Sequence, residues 1–273
     1  MDSKQQLKGY ALVTGASSGI GATYAERLAR RGHDLILVAR DRTRLDTLAA
    51  RLRSEAGVAV EILVADLTKK DELKRVEAKL ESDARIALLI NNAGAAISGR
   101  VIDSDRDALE GLIQLNTVAA TRLAQAAAKA FATRGGGLIV NISSVTGLVP
   151  EMFNGVYAAT KAYLLALSQS LQKEVADAGV RIQAVLPGVT RTEIWERSGR
   201  AVETLPPEMV MEVGDMVDAS LAGLDLGEAV TIPSLPDIAD YERYNAARLA
   251  LFPNLSRSQP ALRYRAGAQA HAA

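Results

Sequence analysis

Apolar residues come in short unbroken blocks along this chain, at Tyr10 to Val13, Leu35 to Val38, Val58 to Val64, Ile86 to Ile90, Leu138 to Ile142 and Val180 to Leu186. Longer stretches with helical spacing separate them. Because the blocks hardly alternate with polar residues, strands built from them bury both faces. The pattern therefore predicts a parallel sheet between two helical layers, joined by right-handed crossovers. A seventh short strand is expected at Ala229 to Ile232, after a helical region near Met209 to Leu224. No linker breaks the alternation, so residues 1–265 are read as one doubly wound α/β domain. Residues 266–273, small and polar, are read as a flexible tail.

Two helices stand out. One spans Asp105 to Thr133 and is rich in alanine, which permits close packing on the sheet or on a second subunit. The other runs from about Val156 to Asp177, is stopped at Gly179, and carries Tyr157 and Lys161 in its first turns.

Composition narrows the chemistry. Lys+Arg and Asp+Glu both number 32, which gives no electrostatic case for nucleic acid or an anionic membrane. There is no cysteine, and the two histidines, His33 and His271, are far apart, so no thiolate or histidine-cluster metal site is expected. The start, Met1 to Lys8, lacks the apolar core of a signal peptide, and no run approaches the roughly 20 apolar residues of a spanning helix. A soluble, cytoplasmic protein is expected.

The first strand leads into Thr14-Gly15-Ala16-Ser17-Ser18-Gly19-Ile20-Gly21 and then a helix. Glycines let a backbone turn tightly and approach a pyrophosphate, while the helix N-terminus supplies the positive end. The spacing is not G-x-G-x-x-G, so a purely structural βα turn stays open, but the place of the run at the first βα junction favours a dinucleotide. At the end of the second strand, where a carboxylate would bind an NAD ribose, stand Ala39 and Arg40. A forked guanidinium suits a 2′-phosphate, so NADP(H) is favoured over NAD(H), the alternative being that Arg40 only solvates the helix at Asp41-Arg42.

Tyr157 and Lys161 lie one helical turn apart on one face. An ammonium about 5 Å from the phenol contributes roughly 3 kcal/mol at a dielectric of about 20, which predicts a tyrosine pKa lowered by about 2 units, fit for acid–base work. That spacing alone is common on solvated helices. The order Thr14-Gly-x-x-x-Gly-x-Gly21, Asn91-Asn92-Ala93-Gly94, Asn141-Ile142-Ser143-Ser144, Tyr157-x-x-x-Lys161 and Pro187-Gly188 is more specific, and it resembles the classical short-chain dehydrogenase/reductase family over about residues 8 to 235.

The resemblance implies a Rossmann-type domain and a catalytic tetrad of Asn116, Ser144, Tyr157 and Lys161. Tyr157 would be the acid or base, Lys161 its cation and a ribose ligand, Ser144 (rather than Ser143) the substrate clamp, and Asn116 the holder of a relay water. An asparagine within a helix could equally bond locally. It also implies cofactor contacts from Gly15, Ser17, Ser18, Gly19, Ile20 and Gly21, from Asp66 and Leu67, and from Asn92, Ala93 and Gly94. Pro187, Gly188, Val189 and Thr192 would hold the nicotinamide end. Asp66 could instead cap a helix at Thr68 to Leu80. Many NADP-dependent members carry a second basic residue where this chain has Ser18.

A lid is expected over about residues 189–211, with Ile194, Trp195, Gly199, Pro206 and Pro207 inside it. Trp195 with Met152 and Phe153 would wall an apolar pocket for a ketone, aldehyde or secondary alcohol. The segment Pro233 to Arg265, with Tyr241, Tyr244, Phe252 and Tyr264, would close the pocket or dock on a neighbour. A homodimer or homotetramer is expected from the resemblance. The alternative to an enzyme is an NADP(H)-binding redox sensor without turnover.

Overall fold

The computed structural model describes residues 9–264, apart from the side chain of Met152; residues 266–273, read as a tail, lie outside the described residues. Seven parallel strands form one sheet in the order β3-β2-β1-β4-β5-β6-β7. They are β1 Tyr10–Thr14, β2 Asp34–Ala39, β3 Val60–Val64, β4 Ile86–Asn91, β5 Gly137–Ile142, β6 Val180–Val185 and β7 Val230–Thr231. The helices are α1 Gly19–Arg30, α2 Arg42–Ala56, α3 Lys70–Ser82, α4 Arg106–Ile113, α5 Ala120–Arg134, α6 Gly155–Val175, α7 Ile194–Arg197, α8 Val213–Leu226 and α9 Ile238–Ala250. The fold is thus the doubly wound, Rossmann-type sheet expected. The chain divides into two compact units, one ending at Ser234 and one beginning at Leu235; the whole sheet belongs to the first, α9 to the second.

The unbroken apolar blocks have the anticipated cause. In β1, Ala11 and Val13 join one core while Leu12 joins the other; in β2, Leu35 and Leu37 face one side and Ile36 and Val38 the other. Adjacent residues point to opposite faces, so a sheet covered twice needs apolar side chains at every position. Beneath the β4 and β5 ends the core is polar but satisfied. Asn91 Nδ2 donates to Asn141 Oδ1 (2.9 Å) and to the Ala120 carbonyl (2.9 Å), and Asn141 Nδ2 donates to Ser168 Oγ (2.9 Å). This chain ties two strands to α5 and α6.

The structure corrects some boundaries. The helix anticipated over Asp105 to Thr133 is two helices joined by a π-helical segment, Gln114–Ala119, which contains Asn116. No glycine or proline marks that junction. The region anticipated as helix from Met209 starts only at Val213, because Pro207–Met209 forms a 3₁₀ turn and Met211 bridges in parallel to Thr190. The helix after Asp66 begins at Lys70, not Thr68. Gly179 does stop the α6 region, through a 3₁₀ turn that ends in its left-handed conformation (φ 73°).

Asn141→Ala removes one of the two acceptors of the buried Asn91 amide and the donor to the Ser168 hydroxyl, a loss of about 1–3 kcal/mol. Urea unfolding should show that drop in midpoint with an unchanged slope.

Candidate active site

The strand order reverses between β1 and β4, and a cleft of about 980 Å³ opens beyond the strand ends there. Its floor is the glycine turn. Gly15 (φ 66°) and Gly19 (φ 53°) adopt left-handed conformations that side chains resist. A Cβ on Gly21 would lie 2.3 Å from the Gly15 carbonyl oxygen and 2.6 Å from Asn92 Nδ2. The turn is locked to the next loop by Thr14, whose hydroxyl accepts from the backbone N–H groups of Asn92 and Ala93 (both 2.9 Å), and by Asn92 Nδ2, which donates to the Thr14 carbonyl (2.8 Å). With their bonding capacity spent on the loop, Thr14 and Asn92 hold the turn in shape.

Gly15, Ser17, Ser18, Gly19 and Ile20 line this cleft, as do Arg40, Asp66 and Leu67 on one side and Asn92, Ala93 and Gly94 in the middle. Ser144, Tyr157, Lys161, Pro187, Gly188 and Thr192 line its far end. Three expected site residues stand elsewhere. Gly21 lies beneath the turn, Asn116 is buried behind the loop, and Val189 faces a second cavity. Asp66 does not cap a helix; its Oδ1 accepts from the backbone N–H (3.0 Å) and hydroxyl (2.7 Å) of Thr68. Partial burial works against ionisation there, but those two bonds and the charges of Arg40 and Lys69 prevail and hold the carboxyl below its usual range.

Asn154, which the sequence reading missed, anchors the start of α6: its Oδ1 accepts from the N–H groups of Val156 (3.1 Å) and Tyr157 (3.3 Å), and its Nδ2 donates to the Gly99 carbonyl (3.0 Å). An asparagine just before an apolar helix is the available signal. Lys161 is buried, donates to the Ile142 carbonyl (2.9 Å), and sits 5.7 Å from the Tyr157 ring centroid. Ser143 Oγ is spent on the Lys161 carbonyl (2.6 Å), whereas Ser144 Oγ, which donates to the Pro187 carbonyl (3.4 Å) and accepts from Thr146 N–H (3.2 Å), lines the cleft with Tyr157 and favours its ionised form. Asn116 does not bond locally. Its Oδ1 accepts from Ala95 N–H (2.9 Å), and its Nδ2 donates to the Ala95 carbonyl (2.9 Å) and to Thr160 Oγ1 (3.2 Å).

The expected depression of the tyrosine pKa is not what these surroundings give. Burial pushes the Tyr157 hydroxyl up to about 12, opposed by the Ser144 hydroxyl, and burial pulls Lys161 down to about 8. The nearby ammonium alone would lower the phenol, but the loss of water around both groups outweighs that one charge pair.

A second cavity of about 800 Å³ adjoins the first. Ser144, Tyr157, Gly188, Ile194 and Trp195 line both, so they stand where the two meet. Phe153, Val189, Met209 and Met211 add apolar wall to the second, while the side chain of Met152 lies outside the described residues. The lid segment crosses both cavities. Trp195 Nε1 donates to the Thr190 carbonyl (2.8 Å), Ser198 meets Ser98 through a hydroxyl pair (2.9 Å), and Arg197 Nη2 reaches Ser18 Oγ (3.4 Å). Glu193 pairs with Arg44 (2.7 Å) and Arg197 (2.5 Å). Arg44, Glu193 and Arg197 all line the first cleft and were not singled out from the sequence.

The Rossmann sheet, the glycine turn and the tyrosine–lysine pair together define a short-chain dehydrogenase/reductase, and the short chain dehydrogenase profile matches residues 9–203; the chain belongs to this family of oxidoreductases. More particularly, a short-chain dehydrogenase from Sphingobium yanoikuyae in complex with NADPH superimposes with a TM-score of 0.91 at 56% identity, over 94% of this chain and 100% of the other. The bulky-bulky ketone specific alcohol dehydrogenase from Comamonas testosteroni does so with a TM-score of 0.86 at 47% identity, over 94% and 98%. An uncharacterized oxidoreductase of Staphylococcus saprophyticus is 35% identical over 185 residues, 67% of this chain and 79% of the relative. Among the described residues no helix is long and apolar enough to cross a membrane.

A buried ammonium is a standing cost to folding. Lys161→Met keeps the length and removes the charge, so it should raise stability near pH 7. Lys161 binds its proton less tightly folded than unfolded, so the wild type gains stability as pH rises from about 8 toward the ordinary lysine value of 10.5. The gap between variant and wild type in chemical denaturation should close over that window.

Proposed function

We propose that the protein is an NADP(H)-dependent reductase that interconverts a bulky apolar ketone and its secondary alcohol, with Tyr157 as general acid in reduction and general base in oxidation. The observation that carries this reading is the position of Ser144 and Tyr157 on the seam between a long glycine-floored cleft and a roomy, largely apolar cavity. A carbonyl placed on that seam meets both hydroxyl groups.

The first cleft fits a dinucleotide. Its floor is a cradle that a Cβ at Gly21 would fill, its volume suits two linked nucleotides, and Arg40 offers a cation at the end of β2. Gly15, Ser17, Ser18, Gly19 and Ile20 would hold the pyrophosphate, with Gly21 setting their approach; Asp66 and Leu67 the adenine; Asn92, Ala93 and Gly94 the adjoining ribose. Pro187, Gly188 and Thr192 would hold the carboxamide end, with Val189 supporting from the second cavity. When bound, the nicotinamide supplies or accepts the hydride.

The residues of this chain handle the proton. A Tyr157 hydroxyl pushed up to about 12 stays protonated at neutral pH, which suits a donor to a carbonyl oxygen. Giving up that proton leaves a phenolate, and charged Lys161 stabilises it from across the helical turn. Ser144 orients the substrate oxygen. Asn116, held by Ala95 and Thr160, fixes the loop that carries Gly94 toward Lys161 and so shapes the relay end of the site.

The second cavity, with Phe153, Val189 and Trp195 on its walls, supports a bulky substrate, and the Comamonas testosteroni relative is specific for bulky-bulky ketones. The exposed apolar side chains of Ile113, Val118 and Tyr163 around α4 to α6 support the expected dimer or tetramer.

Tyr157→Phe should lose nearly all turnover while NADPH still quenches its tryptophan fluorescence; undiminished turnover would sink the mechanism. For the wild type, kcat/KM for reducing a bulky aryl ketone should be flat below about pH 8 and fall above it, as Lys161 loses the charge that stabilises the phenolate. Oxidation of the alcohol should instead gain from rising pH as far as Lys161 allows. Binding of NADPH with no turnover across a ketone panel would favour the sensor reading.

A further inference from the structure

Three guanidinium groups line one corner of the first cleft: Arg40 at the end of β2, Arg44 in α2 and Arg197 in α7. Three carboxylates line it too, but two are already engaged with backbone. Asp41 caps α2 by accepting from Arg44 N–H (3.0 Å), with the Arg44 side chain 3.5 Å off, and Asp66 accepts from Thr68. The third, Glu193, comes from the lid. Its two oxygens lie 2.9 and 2.7 Å from Arg44 Nη1, and one is 2.5 Å from Arg197 Nη2. The same Arg197 nitrogen reaches Ser18 Oγ at 3.4 Å, at the mouth of the glycine turn. A single anion from the expected lid segment therefore gathers two arginines from elements far apart in sequence, in the cleft that Arg40 also lines.

We propose that Arg44 and Arg197 belong with Arg40 to the subsite for the cofactor's 2′-phosphate, and that Glu193 is a built-in stand-in for that phosphate. The inference rests on the NADP(H) reading above. Forked guanidinium groups around one point match the oxygens of a phosphomonoester, and a phosphate dianion outbids a carboxylate for them. Glu193 keeps the corner assembled in the free protein, so the arginines need no rearrangement from solvent; it also competes, so the affinity for the phosphate is set by the exchange. The exchange is an ion-pair swap with no covalent step. Because Glu193 and Arg197 are both on the lid, the subsite forms only with the lid in place.

The probes are 2′,5′-ADP and 5′-AMP, which differ by the phosphate in question, titrated by calorimetry against the full chain. Arg44→Ala and Arg197→Ala should each weaken 2′,5′-ADP by about tenfold and leave 5′-AMP within about twofold, since one charge-assisted contact is lost. Glu193→Gln should tighten 2′,5′-ADP several-fold, with a weaker effect on 5′-AMP. A loss shared equally by both nucleotides in the arginine variants marks a merely structural lid contact and overturns the proposal, as does unchanged or weaker 2′,5′-ADP binding in Glu193→Gln. If the wild type itself binds the two nucleotides alike, the NADP(H) reading fails and the proposal with it. A wild-type preference that survives in both arginine variants defeats the composite subsite alone.

Discussion

The site depends on one close approach, the contact of the turn after β1 with the loop after β4. A glycine is required at position 21 because the Gly15 carbonyl occupies the place of a side chain, and Asn92 closes the same gap from the other loop. Thr14, fully buried, spends its hydroxyl on two successive N–H groups of that loop. These contacts fix the floor of the cleft at the point where the sheet reverses direction, and the strands on either side then deliver Arg40, Asp66, Ser144 and Gly188 to its rim.

Above this floor the chemistry is built at an energetic disadvantage. Tyr157 and Lys161 are both taken out of water, and each is shifted toward its neutral form. What keeps them there is the framework around α6. Asn154 fixes the first turn, Ser143 holds the Lys161 carbonyl, and the Ile142 carbonyl accepts from the ammonium itself. Stability lost at Tyr157 and Lys161 is offset by satisfied polar groups and apolar burial elsewhere, which is how strained or desolvated sites persist.

Most of the fold was legible from sequence because a doubly covered sheet leaves an unmistakable trace: unbroken apolar runs at Ala11–Val13, Leu35–Ala39 and Ile86–Ile90 in β1, β2 and β4, with glycines where backbones touch. The linear motifs placed seventeen of the expected site residues along the first cleft for the same reason, since each motif sits at a strand end that the topology brings to one edge. What escaped was non-local or collective. The π-helical segment at Gln114–Ala119 keeps an ordinary helical composition, so nothing in the sequence breaks there. The Tyr157 pKa depends on every atom that excludes water, not on one neighbour. Arg197 meets Ser18 across 179 residues of chain, and no spacing rule reaches so far.

Helix α7 is a single turn, with Trp195 on the seam of the two cavities and Arg197 in the first cleft. The indole N–H is hooked to the Thr190 carbonyl, and two residues on, the guanidinium is hooked to Ser18. Trimming Trp195 to admit larger molecules would also loosen the hook that positions Glu193 and Arg197. On the proposed reading, substrate scope and coenzyme choice are linked through this turn, and redesign of either has to treat it as shared property.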